Sequence, residues 1–289
     1  HRPYSALRSL YGHSRVRPRD VDSVVDEIVQ EVRESGNILY VNFQDDCFMM
    51  HRWEWLTRFA ERYRREVGIP FVVRTTPQHI TREKLVLLKE AGLRWVFMGL
   101  QTGSDRINCE VYGRRVTAEE FLAAASEVHD LGLSAWYDVI LDNPYETEED
   151  HLNTIDVLLR TPRPFQLDLF SLDYFPGTEL WLQAQKDGIV MPELGSKSYT
   201  EPEPVMINRY IRMSATLPRG LVRGLVGVRH STLGRRLGMA GYYLCLLTEP
   251  MIYFWLILRS RDFRIGPTLQ TVAAFYETGF NKLILRRQG

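Results

Sequence analysis

At 289 residues, with 45% hydrophobic and 25% charged side chains, the chain is an ordinary globular sequence. It can bury one substantial core, as one barrel-like domain plus an appendage or as two modest domains. A net charge of zero hides an asymmetry: from Asn208 onward 13 Lys/Arg stand against 3 Asp/Glu, so residues 208–289 carry +10 and residues 1–207 carry −10, which points the basic part toward an anionic surface. The three cysteines, Cys47, Cys109 and Cys245, form no CxxC or CxxxCxxC spacing, so no zinc or iron–sulfur site is read from them, and each reads as a free thiol in a reducing cytoplasm.

The chain opens on His1 without the charged-then-apolar pattern of a secretion signal, and a cut or processed start with sequence upstream is expected. Five polar helical stretches then close on glycine, at Gly36, Gly68, Gly92, Gly132 and Gly188, the residue that adopts a left-handed helix stop at least cost. After the first four come apolar or β-branched runs, Ile38–Phe43, Ile69–Val73, Trp95–Leu100 and Leu133–Leu141, and Phe165–Leu172 follows a Thr161-Pro-Arg-Pro164 breaker; all five read as strands. The helices between them start at Thr117-Ala-Glu-Glu120 and Thr147-Glu-Glu-Asp150, which look like capping boxes, and Trp53, Leu56, Phe59, Ala60, Tyr63 and Val67 form an apolar stripe at helical spacing. This alternation predicts a parallel α/β sheet with helical crossovers, and periodicity alone leaves an open sheet and a barrel equally available.

Past Gly188 the alternation ends. A Pro- and Glu-bearing link over residues 191–207 leads to a basic helical region, where the apolar run Met239–Leu258 is broken by Glu249-Pro250 and flanked by Arg235, Arg236, Arg259 and Arg261. It reads first as a buried helical hairpin, with an interfacial membrane contact and a true span as alternatives, because a mid-span carboxylate and proline are costly in lipid.

In a parallel βα architecture, ligands sit at the carboxyl ends of the strands. Those ends carry Gln44, Asp45 and Asp46; Arg74, Thr75 and Thr76; Gln101, Thr102 and Ser104; and Asp142, Asn143 and Glu146, with Asp168 in the last strand and Asp173 and Tyr174 after it. Any one of these is most simply a solvated loop residue; their convergence on one rim is the observation. Asp45-Asp46, without a histidine or a third carboxylate, makes a poor metal site and is better suited to a cationic ligand group. The seven histidines show no HxxxH or HExxH spacing, and Gly99-Leu-Gln-Thr-Gly103 has the wrong spacing for a nucleotide-phosphate loop.

At these residues the chain resembles the radical S-adenosylmethionine (SAM) superfamily, in particular the branch whose members often carry a cobalamin-binding domain upstream. The matching text is Phe43-Gln-Asp-Asp-Cys-Phe48, Arg74, Thr81 to Gly92, Val96 to Ser104, Asn143 to Asp150, and Tyr174-Phe-Pro-Gly-Thr-Glu-Leu180, in family order. The resemblance implies a partial (β/α)6 TIM-like barrel over residues 1–190 lacking its first strand, a linker over 191–207 and a helical region over 208–289. It implies SAM cleaved reductively at a [4Fe-4S] cluster to give a 5′-deoxyadenosyl radical, for a cobalamin-assisted methyl transfer or a carbon-skeleton modification. By the same analogy Asp45 or Asp46 meets the SAM amino group, Arg74, Gln101 and Thr102 lie along its carboxylate and ribose, and Ile140 and Leu141 flank the adenine, while Asp138, Asp142, Asn143 and Tyr174 face the substrate. The family's glycine-bearing turn reads here Asp142-Asn-Pro-Tyr-Glu-Thr147, and its CxxxCxxC loop is expected upstream of residues 5–11, so the chain alone is expected to be silent. A non-radical barrel lyase or aldolase, and a degenerate barrel that only binds a ligand or partner, are the alternatives. A small-molecule or lipid-like substrate, a cytoplasmic setting with membrane contact through the basic region, and no nucleic-acid partner complete the expectations.

Overall fold

The computed structural model describes residues 18–36, 38–189 and 202–259. The expectations for residues 1–17 and 260–289, and for most of the linker, lie outside these. Helix α1 (Val21–Ser35) is capped by the Asp20 carboxylate, which accepts from the Asp22 and Ser23 N–H groups, and it stops at Gly36 with φ 66°. Then β1 (Val41–Phe43), α2 (Trp53–Glu66), β2 (Phe71–Thr75), α3 (Arg82–Ala91), β3 (Leu93–Gln101), α4 (Asp105–Glu110), α5 (Ala118–Asp130), β4 (Ser134–Leu141), α6 (Glu148–Arg160), β5 (Gln166–Ser171) and α7 (Glu179–Lys186) follow, each strand separated from the next by one α-helix except for the pair α4 and α5 between β3 and β4. Both predicted capping boxes are present, Thr117 with Glu120 and Thr147 with Asp150. In the α2 stripe Leu56, Phe59, Ala60 and Tyr63 are buried, but Trp53 is 47% exposed: it stands in the first turn, where the stripe has not yet reached the sheet.

All strands are parallel, in the order β1-β2-β3-β4-β5. Neighbours in space are neighbours in sequence throughout, with no reversal of winding, and this is barrel order rather than the doubly wound order that reverses at a switch point. Strand alternation divides the sheet into two faces. Val96, Met98, Leu100, Tyr137, Val139 and Leu141 are buried in the core against the helices. Trp95, Phe97, Gly99 and Gln101 on β3, and Trp136, Asp138 and Ile140 on β4, are partly exposed on the concave inner face.

Three further helices, α8 (Met206–Thr216), α9 (Arg219–Gly227) and α10 (Thr232–Arg259), pack onto this barrel. The apolar run is one continuous helix containing Pro250, not a hairpin. The Glu249-Pro250 break is used on the inner side, where Glu249 is 7% exposed and paired with Arg212. Close approach of α10 depends on small residues: a Cβ on Gly238 would lie 2.6 Å from the Tyr210 hydroxyl, and one on Gly241 would lie 2.9 Å from Leu225. Tyr253 of α10 sits 6.1 Å from the Trp95 ring and 5.9 Å from the Trp136 ring. The Ser134 hydroxyl donates to the Leu256 carbonyl at 2.8 Å, and the Arg259 guanidinium donates to the His129 carbonyl.

Candidate functional site

The inner face rises through two rows toward the carboxyl ends of the strands. In the lower row Arg74, Phe97, Trp136 and Gln166 are register partners across β2 to β5. The Arg74 guanidinium lies 4.7 Å over the Phe97 ring, and Phe97 and Trp136 stack at 5.0 Å, so the arginine is held by a cation–π contact and aimed along the sheet. In the upper row Gly99, Asp138 and Asp168 are register partners. Arg74 Nη1 is 3.7 Å from Asp138 Oδ2, while Asp138 Oδ1 is buried without a hydrogen-bond partner. Gln101 caps the strand at φ 68°, beyond a bulge at Gly99/Gln101, and its amide folds back over Gly99, where a Cβ would come within 2.3 Å of Gln101 Nε2. The bulge re-aims the side chain and the glycine leaves the room. Asp45 and Asp46 stand exposed at the same end of β1. Asp45 accepts from His51 Nε2 at 3.1 Å and from the Cys47 N–H at 3.3 Å, and the His51 bond, partly opposed by burial, holds its carboxyl below the usual range.

Other predicted site residues turn away from this rim. Leu141 is 1% exposed in the helix-side core, since a period of two puts it on the face opposite its neighbour Ile140, so of the predicted adenine pair only Ile140 faces inward. Thr102, fully buried, donates to Glu146 Oε1 at 2.8 Å and lies 3.2 Å from the Thr154 hydroxyl. It locks the β3–α4 loop to α6 instead of meeting a ribose. Asp142 accepts from the Ser171 hydroxyl at 2.7 Å, the Asn208 amide at 2.8 Å and the Glu203 N–H at 2.9 Å, which makes it the clasp between β5 and α8. Asn143 closes its own turn by accepting from the Tyr145 N–H at 3.0 Å and donates to the Tyr112 hydroxyl at 3.1 Å. Tyr174 is 7% exposed and its hydroxyl is without a partner.

The profile of the radical SAM superfamily matches residues 4–158, more than half of the chain. The chain belongs to the radical SAM superfamily. Among solved structures, this radical SAM chain is similar to the radical SAM methyltransferase TsrM from Kitasatospora setae with cobalamin and a [4Fe-4S] cluster bound, at 20% identity and TM-score 0.51 over 63% of this chain and 37% of that one. It is similar as well to the cobalamin-dependent SAM radical enzyme OxsB with aqua-cobalamin and SAM bound, at 12% identity and TM-score 0.53 over 91% of this chain and 52% of that one. At these identities the likeness is one of fold, and it reaches the C-terminal helices in the second case. The chain spans about a third to a half of the length of these proteins. No curated protein matches it.

One residue of this radical SAM barrel, and one pairing, escaped the sequence reading. Arg114, after α4, donates to the Gly99 and Leu100 carbonyls at 3.0 and 3.3 Å, and burial pushes its pKa down to about 10; no periodic signal marks it. Asp168 was visible on its strand, but its pairing with Asp138 follows only from register. Burial, with the Asp168 charge added, pushes the Asp138 carboxyl up to about 6, against the pull of Arg74 and Arg114. Because the folded state holds this proton more tightly than the unfolded chain, stability falls as pH rises from the unfolded carboxyl value of about 4 through about 6. A shift of about two pKa units corresponds to about 3 kcal/mol, all of it lost above that window. The Asp138→Asn variant is therefore expected to gain on the parent progressively between pH 4 and pH 7 in thermal melts. Parallel stability curves would show that Asp138 ionises without penalty.

Proposed function

We propose that this chain is the SAM-binding barrel of a radical SAM enzyme, with cobalamin-dependent methyl transfer as its reaction. The observation that carries the reading is the inner rim itself. A guanidinium held by Phe97 and a strand-end amide at Gln101 stand beside a buried, half-unpartnered Asp138 and the exposed Asp45-Asp46 pair. This donor and acceptor set fits an amino acid-bearing nucleoside: arginine and amide donate to a carboxylate and ribose, and carboxylates receive an ammonium. The room over Gly99 is filled by the Gln101 amide, which places that donor at the open end of the sheet. When bound at a [4Fe-4S] cluster, SAM supplies a carbon-centred radical for hydrogen abstraction or methyl transfer.

The chain's own residues bind and orient in this scheme. Arg74 holds a carboxylate, Gln101 a ribose hydroxyl, and Ile140 an apolar ring face. Asp138 and Asp168 lie deeper, on the substrate side, where burial raises both carboxyls and lets one hold a proton near neutrality. Cluster ligands are a different matter. Among the described residues no three His, Cys, Asp or Glu lie together as a metal set, and Cys47 and Cys245 are buried far apart in sequence, so these residues supply no ligand set that fits a cluster.

The reading extends to a small-molecule or lipid-like substrate, an upstream cobalamin-binding domain, a cytoplasmic setting, and contact of the basic C-terminal region with an anionic surface. Its support is the family match and the likeness in fold to two cobalamin-bound proteins. Titration of SAM into the full-length protein before and after anaerobic reconstitution with iron and sulfide, with an assay for 5′-deoxyadenosine, tests it. Binding that strengthens with the cluster and yields 5′-deoxyadenosine is the expected result. Absence of SAM binding in both states would leave only the reading as a barrel for another ligand.

A further inference from the structure

Helix α10 presents two unlike faces. Gly234, Gly238, Gly241, Cys245, Glu249 and Leu256 are buried inward. On the opposite side Leu237, Leu244, Leu247, Met251 and Phe254 recur in steps of three, four or seven residues and are all exposed, Leu247 at 73% and Met251 at 69%. Tyr243 and Trp255 border this stripe, each 56% exposed. A run of large apolar side chains from Leu237 to Trp255 along one helix is far from the scattered exposure that ordinary surfaces show.

The charge around the stripe identifies what covers it. From Asn208 to Thr248 the sequence holds seven arginines and no Asp or Glu; Arg219, Arg235 and Arg236 are exposed there, while Arg223 pairs with Asp156 of α6 at 3.8 Å. The carboxylate within α10, Glu249, is turned inward onto Arg212. A second copy of this helix would bring Arg235 and Arg236 toward arginines with no outward carboxylate on α10 to receive them. An anionic lipid surface satisfies both halves: acyl chains take the apolar stripe, headgroup phosphates take the guanidiniums, and the tyrosine and tryptophan rings sit at the boundary. The hydrogen bond from Ser134 to Leu256 ties α10 to the barrel, and the Arg212–Glu249 pair and the close approach at Gly238 and Gly241 tie it to α8 and α9, so the helix lies in the plane of the surface instead of crossing it.

We propose that the outward face of α10 is a monotopic membrane-docking face that seats the barrel on anionic lipid. This deepens the reading of the basic region as one that meets an anionic surface, and it does not depend on the radical chemistry. The test is co-sedimentation of the full chain with phosphatidylcholine vesicles, with and without phosphatidylglycerol, at low and high salt. Two double variants, L244E/L247E and R235E/R236E, change only exposed side chains, and their thermal melts report that folding is kept. Wild type is expected to pellet with phosphatidylglycerol vesicles, less so at high salt, and each double variant to lose at least tenfold in bound fraction. Binding lost in R235E/R236E but kept in L244E/L247E would overturn the docking face and leave a purely electrostatic contact. Absence of binding by wild type would overturn both. A dimer that L244E/L247E dissolves, without vesicle binding, would assign the stripe to a second copy and overturn the proposal.

Discussion

Replacing Glu249 with alanine is expected to lower the stability of the protein by about 2 to 3 kcal/mol, because it strands a guanidinium that the C-terminal helices have enclosed. Arg212 Nε and Nη2 each donate to the Glu249 carboxylate at 3.2 Å, and the Gln166 amide approaches it at 3.5 Å. The carboxylate is 9% exposed but the Arg212 side chain is 35% exposed, so water relieves part of the unpaired charge and the cost falls below that of a fully buried pair. Glu249→Gln keeps an acceptor and is expected to lose less. The Arg212→Met/Glu249→Met double variant, which removes both charges, is expected to regain much of the difference. Urea denaturation followed by tryptophan fluorescence is a direct readout, since loosening α10 wets Trp95 and Trp136 where Tyr253 now covers them. A loss under about 0.5 kcal/mol, the scale of an ordinary surface substitution, would mean that Arg212 finds water without moving the helix.

The second large effect concerns ligand binding. Arg74→Ala in the full-length protein is expected to weaken SAM binding by about ten- to a hundredfold, the range of a lost charge-assisted hydrogen bond of about 1.5–3 kcal/mol. Arg94→Ala is the matched control. Arg94 stands at the amino end of β3, donating to the Lys89 and Leu93 carbonyls at 3.2 and 2.9 Å, at the opposite end of the sheet from the rim. Isothermal titration of both variants decides between a local and a general effect, and equal losses would remove Arg74 from the site. Arg74→Lys should recover only part of the affinity, because an ammonium lacks the planar fork that lies over Phe97.

Local signals were legible in the sequence wherever one element suffices to produce them. Gly36 and Gly132 stop their helices at φ 66° and 69°, and Thr147 and Asp150 cap reciprocally, each through atoms within a few residues of one another. Rim residues were legible as a set, since strand ends converge by topology, but not one by one. Alternation fixes which of Ile140 and Leu141 points inward, and a one-residue choice of register separates the two. The clasp at Asp142, which reaches Glu203 and Asn208, and the pairing of Glu249 with Arg212 join segments far apart in sequence. No pattern in either segment announces the other. The continuity of α10 through Pro250 was misread for the same reason: proline is tolerated in a helix when neighbouring contacts hold its flanks, and those contacts come from the barrel.

The covering of the inner face by α10 has a consequence for the order in which the molecule assembles. Strands β1 to β4 each pair with the next strand in sequence, so the sheet can zip as it leaves the ribosome. The bonds that bring α10 home span much longer loops, 122 residues from Ser134 to Leu256 and 130 from His129 to Arg259, and such closures come late because their entropy is paid before any contact rewards it. At a synthesis rate of roughly 5–20 residues per second, Trp95 and Trp136 face water for on the order of ten seconds before Tyr253 exists to shield them. The nascent barrel therefore keeps a wet aromatic interior until its C-terminal helix arrives, and that helix is the last stave to be set.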